Sequence, residues 1–178
     1  MTRVSHYERA RSRLLAGWRN RAFGLKAAVF AIIGVVNSLV DYGVFLLVRA
    51  AFDRSPAALS VFHALADACH CATAAGITLI AANTVSWMVA VSGSYVMNTS
   101  ITFAQESGRK LRWRAYAAFV VSGVAGWLAN TATLLVAAQV LLLPVWLAKA
   151  IAILVSFVVN FSLSHFVVFR ARGDGSDR

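Results

Sequence analysis

The chain has 178 residues, of which 60% are hydrophobic and 13% are charged. A soluble domain carries about 25% charged residues, so this composition excludes an ordinary water-soluble protein and predicts a membrane protein. The net charge of +10 would suggest nucleic-acid binding in a soluble chain. Here the basic residues lie between long apolar stretches, where membrane topology accounts for them, and we expect no nucleic-acid partner.

Four apolar stretches are long enough to cross a bilayer as helices, since a span needs about 20 residues. They cover about residues 27–48, 77–103, 115–143 and 145–169. The first contains Asp41, the fourth contains Lys149 and His165, and the other two contain no Asp, Glu, Lys, Arg or His. The sequence therefore predicts an all-α, multi-pass integral membrane protein with a four-helix domain over residues 27–169.

The basic residues are distributed asymmetrically around these stretches. Of the 17 Lys and Arg residues, all but Arg49, Arg54 and Lys149 precede the first stretch, separate the second from the third, or follow the fourth. Because cytoplasmic segments carry the excess of Lys and Arg, both termini are predicted to be cytoplasmic. Residues 1–26 suit either a basic amphipathic helix on anionic headgroups or an orienting tail, and residues 170–178 form a cytoplasmic tail.

The two halves of the membrane domain resemble each other. Residues 94–103 align with 160–169 at an offset of 66, which also places Asn83 opposite Lys149. Phe30, Gly34 and Asp41 match Phe119, Gly123 and Asn130 at an offset of 89. The alignment predicts two helical hairpins related by parallel repetition.

The second and fourth predicted helices carry a small or polar residue at every fourth position. The two ladders are Ala82, Ser86, Ala90, Ser94 and Asn98, and Ala148, Ala152, Ser156, Asn160 and Ser164. Small residues let helices approach closely in lipid, so helix packing alone accounts for the ladders.

Asp41 is the acidic residue of the first span, and a carboxylate in hydrocarbon is unfavourable unless it is protonated, paired or hydrated. Asn37 lies one turn earlier on the same helix face, and Asn130 occupies the matching place in the third helix. Polar groups are therefore expected to converge between the hairpins. Lys149 is the candidate ion-pair partner of Asp41, or else its ammonium group extends to the outer interface.

The loop over residues 50–76 is predicted to be extracytoplasmic, with a short interfacial helix over residues 57–68. It contains His63, Asp67, Cys69, His70 and Cys71. The Cys-x-Cys step differs from the usual Cys-x-x-Cys spacing of zinc sites, so we expect no metal. We expect the cysteines to be idle free thiols or to form disulfides between molecules, since a disulfide between Cys69 and Cys71 would be strained. No nucleophile with a base and no paired acids occur elsewhere, so neither enzyme activity nor a cofactor is predicted.

The segment Gly34 to Asp41 (Gly-Val-Val-Asn-Ser-Leu-Val-Asp), together with Asn160-Phe161 leading to Val168-Phe169, resembles the GtrA-like family of small four-helix membrane proteins. The first-half copy ends with Asn98 and Thr102-Phe103, and the resemblance covers about residues 30–169. It implies a flippase of the bacterial inner membrane. Such a protein carries a polyprenyl-phosphate-linked monosaccharide from the cytoplasmic to the outer leaflet for cell-surface polysaccharide synthesis.

The resemblance implies a polar route for the phosphate and the sugar, with the polyprenyl tail in lipid. The implied substrate contacts are Asn37, Asp41, Asn83, Asn98, Thr99, Ser100, Asn130, Lys149, Asn160, Ser164 and His165. The residues expected to attract phosphate at the cytoplasmic face are Arg109, Lys110, Arg112, Arg114, Arg170 and Arg172. Positive-inside topology by itself also accounts for this second group.

Four helices are few for a complete pathway, so we expect a homodimer in contact with membrane lipids. Two alternative functions remain open. In the first, the protein is a membrane scaffold that recruits a polyprenyl-phosphate glycosyltransferase through its basic N-terminal segment. In the second, it is a proton-coupled exporter in which Asp41 alternates between a proton and a cationic substrate. An ion pair between Asp41 and Lys149 argues against the exporter.

Overall fold

The computed structural model describes the backbone of residues 2–70 and 72–173, and the side chains of residues 24–159 except residues 26, 27, 71 and 106. Every regular element in this part of the chain is helical, as predicted. The helices are α1 (Thr2–Arg54), α2 (Pro56–Cys69), α3 (Ala74–Met97), α4 (Ala104–Ser107), α5 (Trp113–Leu135) and α6 (Val145–Gly173). α3 and α5 each continue into a π-helical turn, over Asn98–Thr102 and Val136–Val140 respectively.

Three described segments are long and apolar enough to cross a membrane. They are Ala28–Arg54, Ala74–Thr102 and Trp113–Val140, and they correspond to the first three predicted spans. The first extends past its predicted end at residue 48, and Arg49 and Asp53 form an i,i+4 ion pair at 2.9 Å within the additional residues.

The fourth predicted span corresponds to α6, which begins at Val145 directly after Pro144. The part of α6 with described side chains, Val145–Val159, is apolar but shorter than a membrane span. The side chains of residues 160–169 lie outside the described residues, so the fourth crossing stays a prediction.

α1 is a single helix of 53 residues, about 80 Å long at 1.5 Å per residue. The predicted N-terminal segment, residues 1–26, is therefore continuous with the first span from Thr2 onward. Its side chains up to residue 23 lie outside the described residues. Its placement on lipid headgroups stays a prediction.

α2 confirms the short helix predicted inside the loop over residues 50–76. The Ser55 hydroxyl caps its first turn by accepting a hydrogen bond from the Ala58 N–H at 3.3 Å, and His70 ends it in the left-handed conformation with φ of 50°. Phe62 is buried and meets Phe52 of α1 edge to face, with ring centroids 5.1 Å apart. α2 is thus packed onto the end of α1.

The predicted lack of a metal site concerns the residues around Cys69. Among the described residues, no group of three or more His, Cys, Asp or Glu side chains could hold a metal ion. Cys69 is disulfide-bonded, which corrects the expectation of an idle thiol at this position. Cys71 lies outside the described residues.

Neighbouring long helices run in opposite directions. Phe30 of α1 contacts Phe103, which lies just after α3, whereas Asp41, further along α1, contacts Ser86, which comes earlier in the chain than Phe103. α1 packs mainly on α3 and α5 mainly on α6, while α3 also packs on α5 and only a small contact joins α1 to α6. Two hairpins side by side result. The α3–α5 connection, residues 103–112, lies at what we call the basic end, and α2 lies at the opposite α2 end.

The hydrophobic core lies in the half of the bundle nearest α2. It consists of Phe45, Leu79, Ala82, Leu134, Ala137, Ala148 and Ala152. Three of these alanines belong to the two ladders, so those positions serve helix packing, because small side chains let the backbones approach. Large apolar side chains such as Leu39, Leu47 and Val121 point outward and are exposed, as expected of a surface covered by lipid.

Candidate functional site

Lys149 of α6 is the centre of a buried polar cluster. Its side chain is fully buried, and Nζ donates hydrogen bonds to Asp41 Oδ2 at 2.6 Å and to Asn83 Oδ1 at 2.6 Å, with Asn130 Oδ1 at 3.4 Å. An ammonium group has three donors, and each has an oxygen acceptor here. The Phe45 ring lies 5.0 Å from Nζ and adds a cation–π contact. The ion pair is present, and extension of Lys149 to the interface is ruled out.

A second set of hydrogen bonds orients the acceptors of Lys149. The Ser86 hydroxyl lies 2.6 Å from Asp41 Oδ1 and 3.0 Å from the Asn83 backbone oxygen, and its one proton serves one of them at a time. The Asn83 amide nitrogen donates to Thr131 Oγ1 at 2.9 Å, and that hydroxyl donates to the Trp127 backbone oxygen at 2.8 Å. The Asn83 amide oxygen is thereby directed towards Lys149.

The cluster joins residues that correspond between the two halves of the sequence. Asp41 and Asn130 are repeat mates on α1 and α5, and Asn83 and Lys149 are repeat mates on α3 and α6. The other three side chains meet around the Nζ atom of Lys149. The sequence therefore identified the members of the inner shell.

Sequence reasoning missed the outer members of the cluster, Ser86 and Thr131. Ser86 appeared only as a ladder residue, although it lies three residues after Asn83 and so shares its helix face. Thr131 directly follows Asn130. Proximity to a predicted polar residue is the signal that could have found both.

Asn37 and Trp127 each have a buried polar atom without a hydrogen-bond partner, Oδ1 and Nε1 respectively. The Asn37 amide nitrogen donates to the Ile33 backbone oxygen at 2.8 Å, and its Oδ1 would lie 3.3 Å from a Cβ on Gly93. The structure describes no hydrogen bond between Asn37 and the Lys149 cluster. Trp127 lies against Trp87, with ring centroids 5.8 Å apart. One acceptor and one donor are therefore unused inside the bundle.

Asn98 begins the π-helical turn at the basic end of α3 and bonds within it. Its amide nitrogen donates to the Ser94 backbone oxygen at 2.9 Å, and its amide oxygen accepts from the Thr102 hydroxyl at 3.0 Å. The Phe103 N–H donates to the Asn98 backbone oxygen at 2.8 Å. Asn98 thus holds the end of the helix, and a role in substrate contact stays a prediction.

Two hydroxyl groups fasten the α3–α5 connection to α3. Tyr95 OH donates to the Arg112 backbone oxygen and accepts from the Arg112 N–H, both at 2.9 Å. Ser107 Oγ donates to the Thr99 backbone oxygen at 2.8 Å and accepts from the Arg109 N–H at 3.1 Å. The chain reverses between them through Gly108 and Arg109, both in the left-handed region.

The fastened connection borders a small, partly open pocket at the basic end. It has a volume of about 240 Å³ and is lined by Tyr95, Thr99, Ser107, Lys110, Arg112 and Ala115. A wider depression of about 680 Å³ shares Arg112 and Ala115 with it and adds Trp113 and Arg114. Three of the four predicted phosphate-attracting residues between positions 109 and 114 therefore line a cavity, whereas Arg109 lines neither one.

Residues 29–169 match the family model of the GtrA/DPMS transmembrane domain, which is more than three quarters of the chain. The chain belongs to the GtrA/DPMS family. This confirms the resemblance read from the two helix ends and from the Gly34 to Asp41 segment. No curated protein and no solved structure matches the chain.

The matched GtrA/DPMS domain contains the whole Lys149 cluster and the whole basic-end pocket. Five further predicted site residues lie where the structure describes no side chains. They are Asn160, Ser164, His165, Arg170 and Arg172. Their predicted roles stay untested.

The chemistry available to this GtrA/DPMS domain is recognition of charge and hydroxyl groups. Lys149 and Asp41 offer one cation and one anion away from water, and the basic-end pocket offers two cations near a helix start. Burial of two charges is unfavourable, and well-packed apolar side chains usually stabilise a protein as much. Ionisable residues inside a membrane domain are for this reason functional-site candidates.

Proposed function

We propose that this GtrA/DPMS domain moves a polyprenyl-phosphate-linked monosaccharide from the cytoplasmic to the outer leaflet of a bacterial inner membrane. The observation that carries the proposal is the fully buried Lys149, which pairs with Asp41 at 2.6 Å and draws together all four long helices. A protein that only anchored a partner would gain nothing from this arrangement, because an apolar core holds helices together equally well.

The proposal includes an orientation and a number of crossings. The basic end is cytoplasmic, the α2 end faces the outside, and α6 forms a fourth span. The alternating directions of the long helices support this topology, as does the concentration of Arg and Lys residues in the α3–α5 connection. The chain then has both termini in the cytoplasm.

The route between the two ends passes the unsatisfied atoms of Asn37 and Trp127. In folded proteins nearly every buried polar atom has a hydrogen-bond partner, so an exception calls for an explanation. A sugar hydroxyl both donates and accepts, and it could therefore satisfy Asn37 Oδ1 and Trp127 Nε1 in passing. The polyprenyl tail stays in lipid beside the exposed apolar faces.

Lys149 is proposed to exchange partners during transport. A lipid phosphate reaching the cluster competes with the Asp41 carboxylate for the same ammonium group, since both are anionic oxygen acceptors. Release of Asp41 removes a link between α1 and α6, whose other described hydrogen bond joins Tyr42 OH to the Trp146 backbone oxygen at 3.3 Å. The α2 end can then open for release of the substrate.

A membrane scaffold is the second candidate function. It is favoured by α1, which continues as one helix for more than twenty residues before the candidate span begins at Ala28. That extension could dock a polyprenyl-phosphate glycosyltransferase. The exporter is disfavoured, because the Asp41 carboxylate already has a buried cation as its partner. A homodimer is proposed for either function by analogy with other small transporters.

The test is leaflet exchange of a polyprenyl-phosphate monosaccharide in liposomes that contain the purified full chain. We expect the native protein to accelerate exchange over empty liposomes and Asp41→Asn to slow it at least tenfold, since the loss of a charged hydrogen bond is worth about 1.5–3 kcal/mol. Asp53→Asn is the matched control, because Asp53 is also ion-paired on α1 but is 46% exposed. Exchange at the rate of empty liposomes favours the scaffold. Native activity in Asp41→Asn removes Asp41 from the mechanism.

A further inference from the structure

The pocket at the basic end has a positive lining. Lys110 and Arg112 contribute cations, and the described lining contains no acidic side chain. The backbone around the pocket is held in place, because Tyr95 and Ser107 form hydrogen bonds to the backbone of the connection. Cations held close together in a pre-formed pocket bind an anion more strongly than the same cations on a flexible loop.

The Thr99 side chain is evidence for a binding site that does not depend on these charges. It is only 8% exposed and lines the pocket. Thr78 and Thr84 of the same helix donate their hydroxyl protons to the backbone oxygen four residues earlier, each at 2.8 Å. None of the described hydrogen bonds uses the Thr99 hydroxyl, although its backbone oxygen accepts one from Ser107. This hydroxyl is on a residue that lines the pocket and has no described hydrogen-bond partner, so it is available to a bound group.

The start of α5 borders the pocket. Arg112 is the N-cap in an extended conformation, and its side chain makes no capping hydrogen bond. The N–H groups in the first turn of a helix have no partner within the helix, and they favour anions. Ala115, in this turn, lines the pocket. The donor set therefore suits an anionic oxygen cluster.

The size of the pocket limits what it can hold. Its volume of about 240 Å³ lies below the roughly 300–1,000 Å³ of pockets that enclose a drug-sized ligand. It therefore accommodates a headgroup and excludes a long chain. Apolar side chains beside it are exposed, with Ile101 at 59%, Leu111 at 58% and Trp113 at 77%. They provide a surface for an acyl or isoprenoid tail at the membrane interface.

We infer that this pocket docks the phosphate of a polyprenyl-phosphate-linked sugar before it crosses the membrane. Lys110, Arg112 and the Thr99 hydroxyl are the side chains that bind the phosphate. The inference rests on the proposed function for its ligand, and it assigns that ligand a first site distinct from the Lys149 cluster. Ordinary anionic phospholipids share the phosphate chemistry and are the competing source.

The structure provides variants that separate binding from folding. Tyr95 holds Arg112 by its backbone, so Arg112→Gln removes the charge and leaves the connection fastened. Thr99→Val replaces the unused hydroxyl with a methyl group of similar size. Arg109→Gln is the matched control, because it removes the same charge from the same connection while Arg109 lines neither cavity.

The experiment measures binding of a polyprenyl-phosphate monosaccharide to the detergent-solubilised full chain, with leaflet exchange assayed in parallel. We expect Arg112→Gln and Thr99→Val to weaken binding at least tenfold and threefold respectively, and Arg109→Gln to leave it within twofold. Polyprenol without phosphate should fail to compete. Phosphatidylglycerol should compete at least tenfold less well than the polyprenyl-phosphate monosaccharide.

Several outcomes would overturn the inference. Equal binding by all variants would do so, as would an equal loss in Arg109→Gln, which would indicate general attraction to a basic surface. Equal competition by phosphatidylglycerol would assign the pocket to ordinary lipids. If the native protein binds the ligand and Arg112→Gln binds it more weakly while Arg109→Gln does not, the pocket is supported, even if the native protein does not accelerate leaflet exchange. That combination refutes the flippase and keeps the docking site.

Discussion

The Lys149 side chain lies in a position where a charge is tolerated only with its partners in place. Asp41, Asn83 and Asn130 supply oxygen atoms around Nζ, and Asp41 alone supplies the compensating charge. Removing one member of a buried ion pair leaves the other uncompensated, which costs more than replacing both members with uncharged residues. The pair therefore behaves as a unit in stability.

A double-mutant cycle on this pair gives a prediction at the residue scale. Lys149→Met should lower the free energy of unfolding by about 3–5 kcal/mol, because it leaves the Asp41 carboxylate without its cation. The double variant with Asp41→Asn should recover part of that loss. Denaturant titration in detergent measures both values.

The control is the exposed pair on the same helix. Arg49→Met should lower the unfolding free energy by less than about 1 kcal/mol, since surface ion pairs contribute little. Additive losses in the Asp41 and Lys149 cycle would show that the two charges do not depend on each other.

At the scale of elements, α3 and the connection that follows it form one unit. The π-helical turn Asn98–Thr102 ends the membrane helix, and the Tyr95 hydroxyl bonds to both backbone groups of Arg112. The three basic residues of the connection are thereby kept near the end of α3. A loop held in this way presents its cations in a fixed arrangement.

Tyr95→Phe tests the fastening of the connection. The variant removes two hydrogen bonds to Arg112 and keeps the aromatic contacts with Tyr116 and Phe119. We expect trypsin to cleave between residues 109 and 114 several-fold faster, because local opening exposes the backbone to the protease. Limited proteolysis in detergent followed by mass spectrometry measures the rate at these sites.

Tyr116→Phe provides the comparison for this experiment. It also removes a tyrosine hydroxyl, but that hydroxyl bonds to Ser92 of α3 at 2.8 Å and makes no described hydrogen bond to the connection. Cleavage in this variant should match the native rate. Equal acceleration in both variants would mean that the Tyr95 hydroxyl does not hold the connection specifically.

The whole molecule is asymmetric along the axis of the bundle. The apolar core lies towards the α2 end and the Lys149 cluster joins α1 to α6, whereas the described cavities lie at the basic end. A carrier that alternates between two states is expected to be closed at one end and accessible at the other. Under the proposed transport function, this asymmetry would correspond to a state accessible from the basic end.

Topology is the prediction that belongs to this scale. In a variant with Cys69 and Cys71 changed to Ser, single substitutions Ser60→Cys, Gln105→Cys and Ser176→Cys report on three regions. A membrane-impermeant maleimide applied to intact cells, after removal of any outer membrane, should label position 60 alone. Positions 105 and 176 should react only after permeabilisation, because the proposed topology puts both on the cytoplasmic side.

Labelling of position 176 from outside would show that α6 does not cross the membrane. Labelling of position 105 from outside would reverse the proposed orientation. Parallel measurements on the permeabilised sample provide the control, since all three positions should then react. The result decides between three and four spans independently of any transport assay.

The sequence alone determined the class of protein, the first three spans and the residues that form the inner shell of the cluster. The length of an apolar stretch predicts a membrane helix, because a helix satisfies its backbone hydrogen bonds internally and so needs no particular neighbours. Charge in hydrocarbon must find a partner, and this requirement singled out Asp41 and Lys149. The repeat then indicated Asn83 and Asn130.

Tertiary structure alone decided which helix faces meet and what the polar side chains do. Ser and Thr in membrane helices often bond to their own backbone, so composition does not distinguish Ser86 and Thr131, which join the cluster, from Thr78 and Thr84, which do not. The π-helical turns and the contact of Tyr95 with Arg112 depend on how α3 meets α5. A membrane helix that is apolar on most of its surface does not show from its sequence which face packs against its neighbours. The pocket at the basic end could therefore be found only from the packed helices.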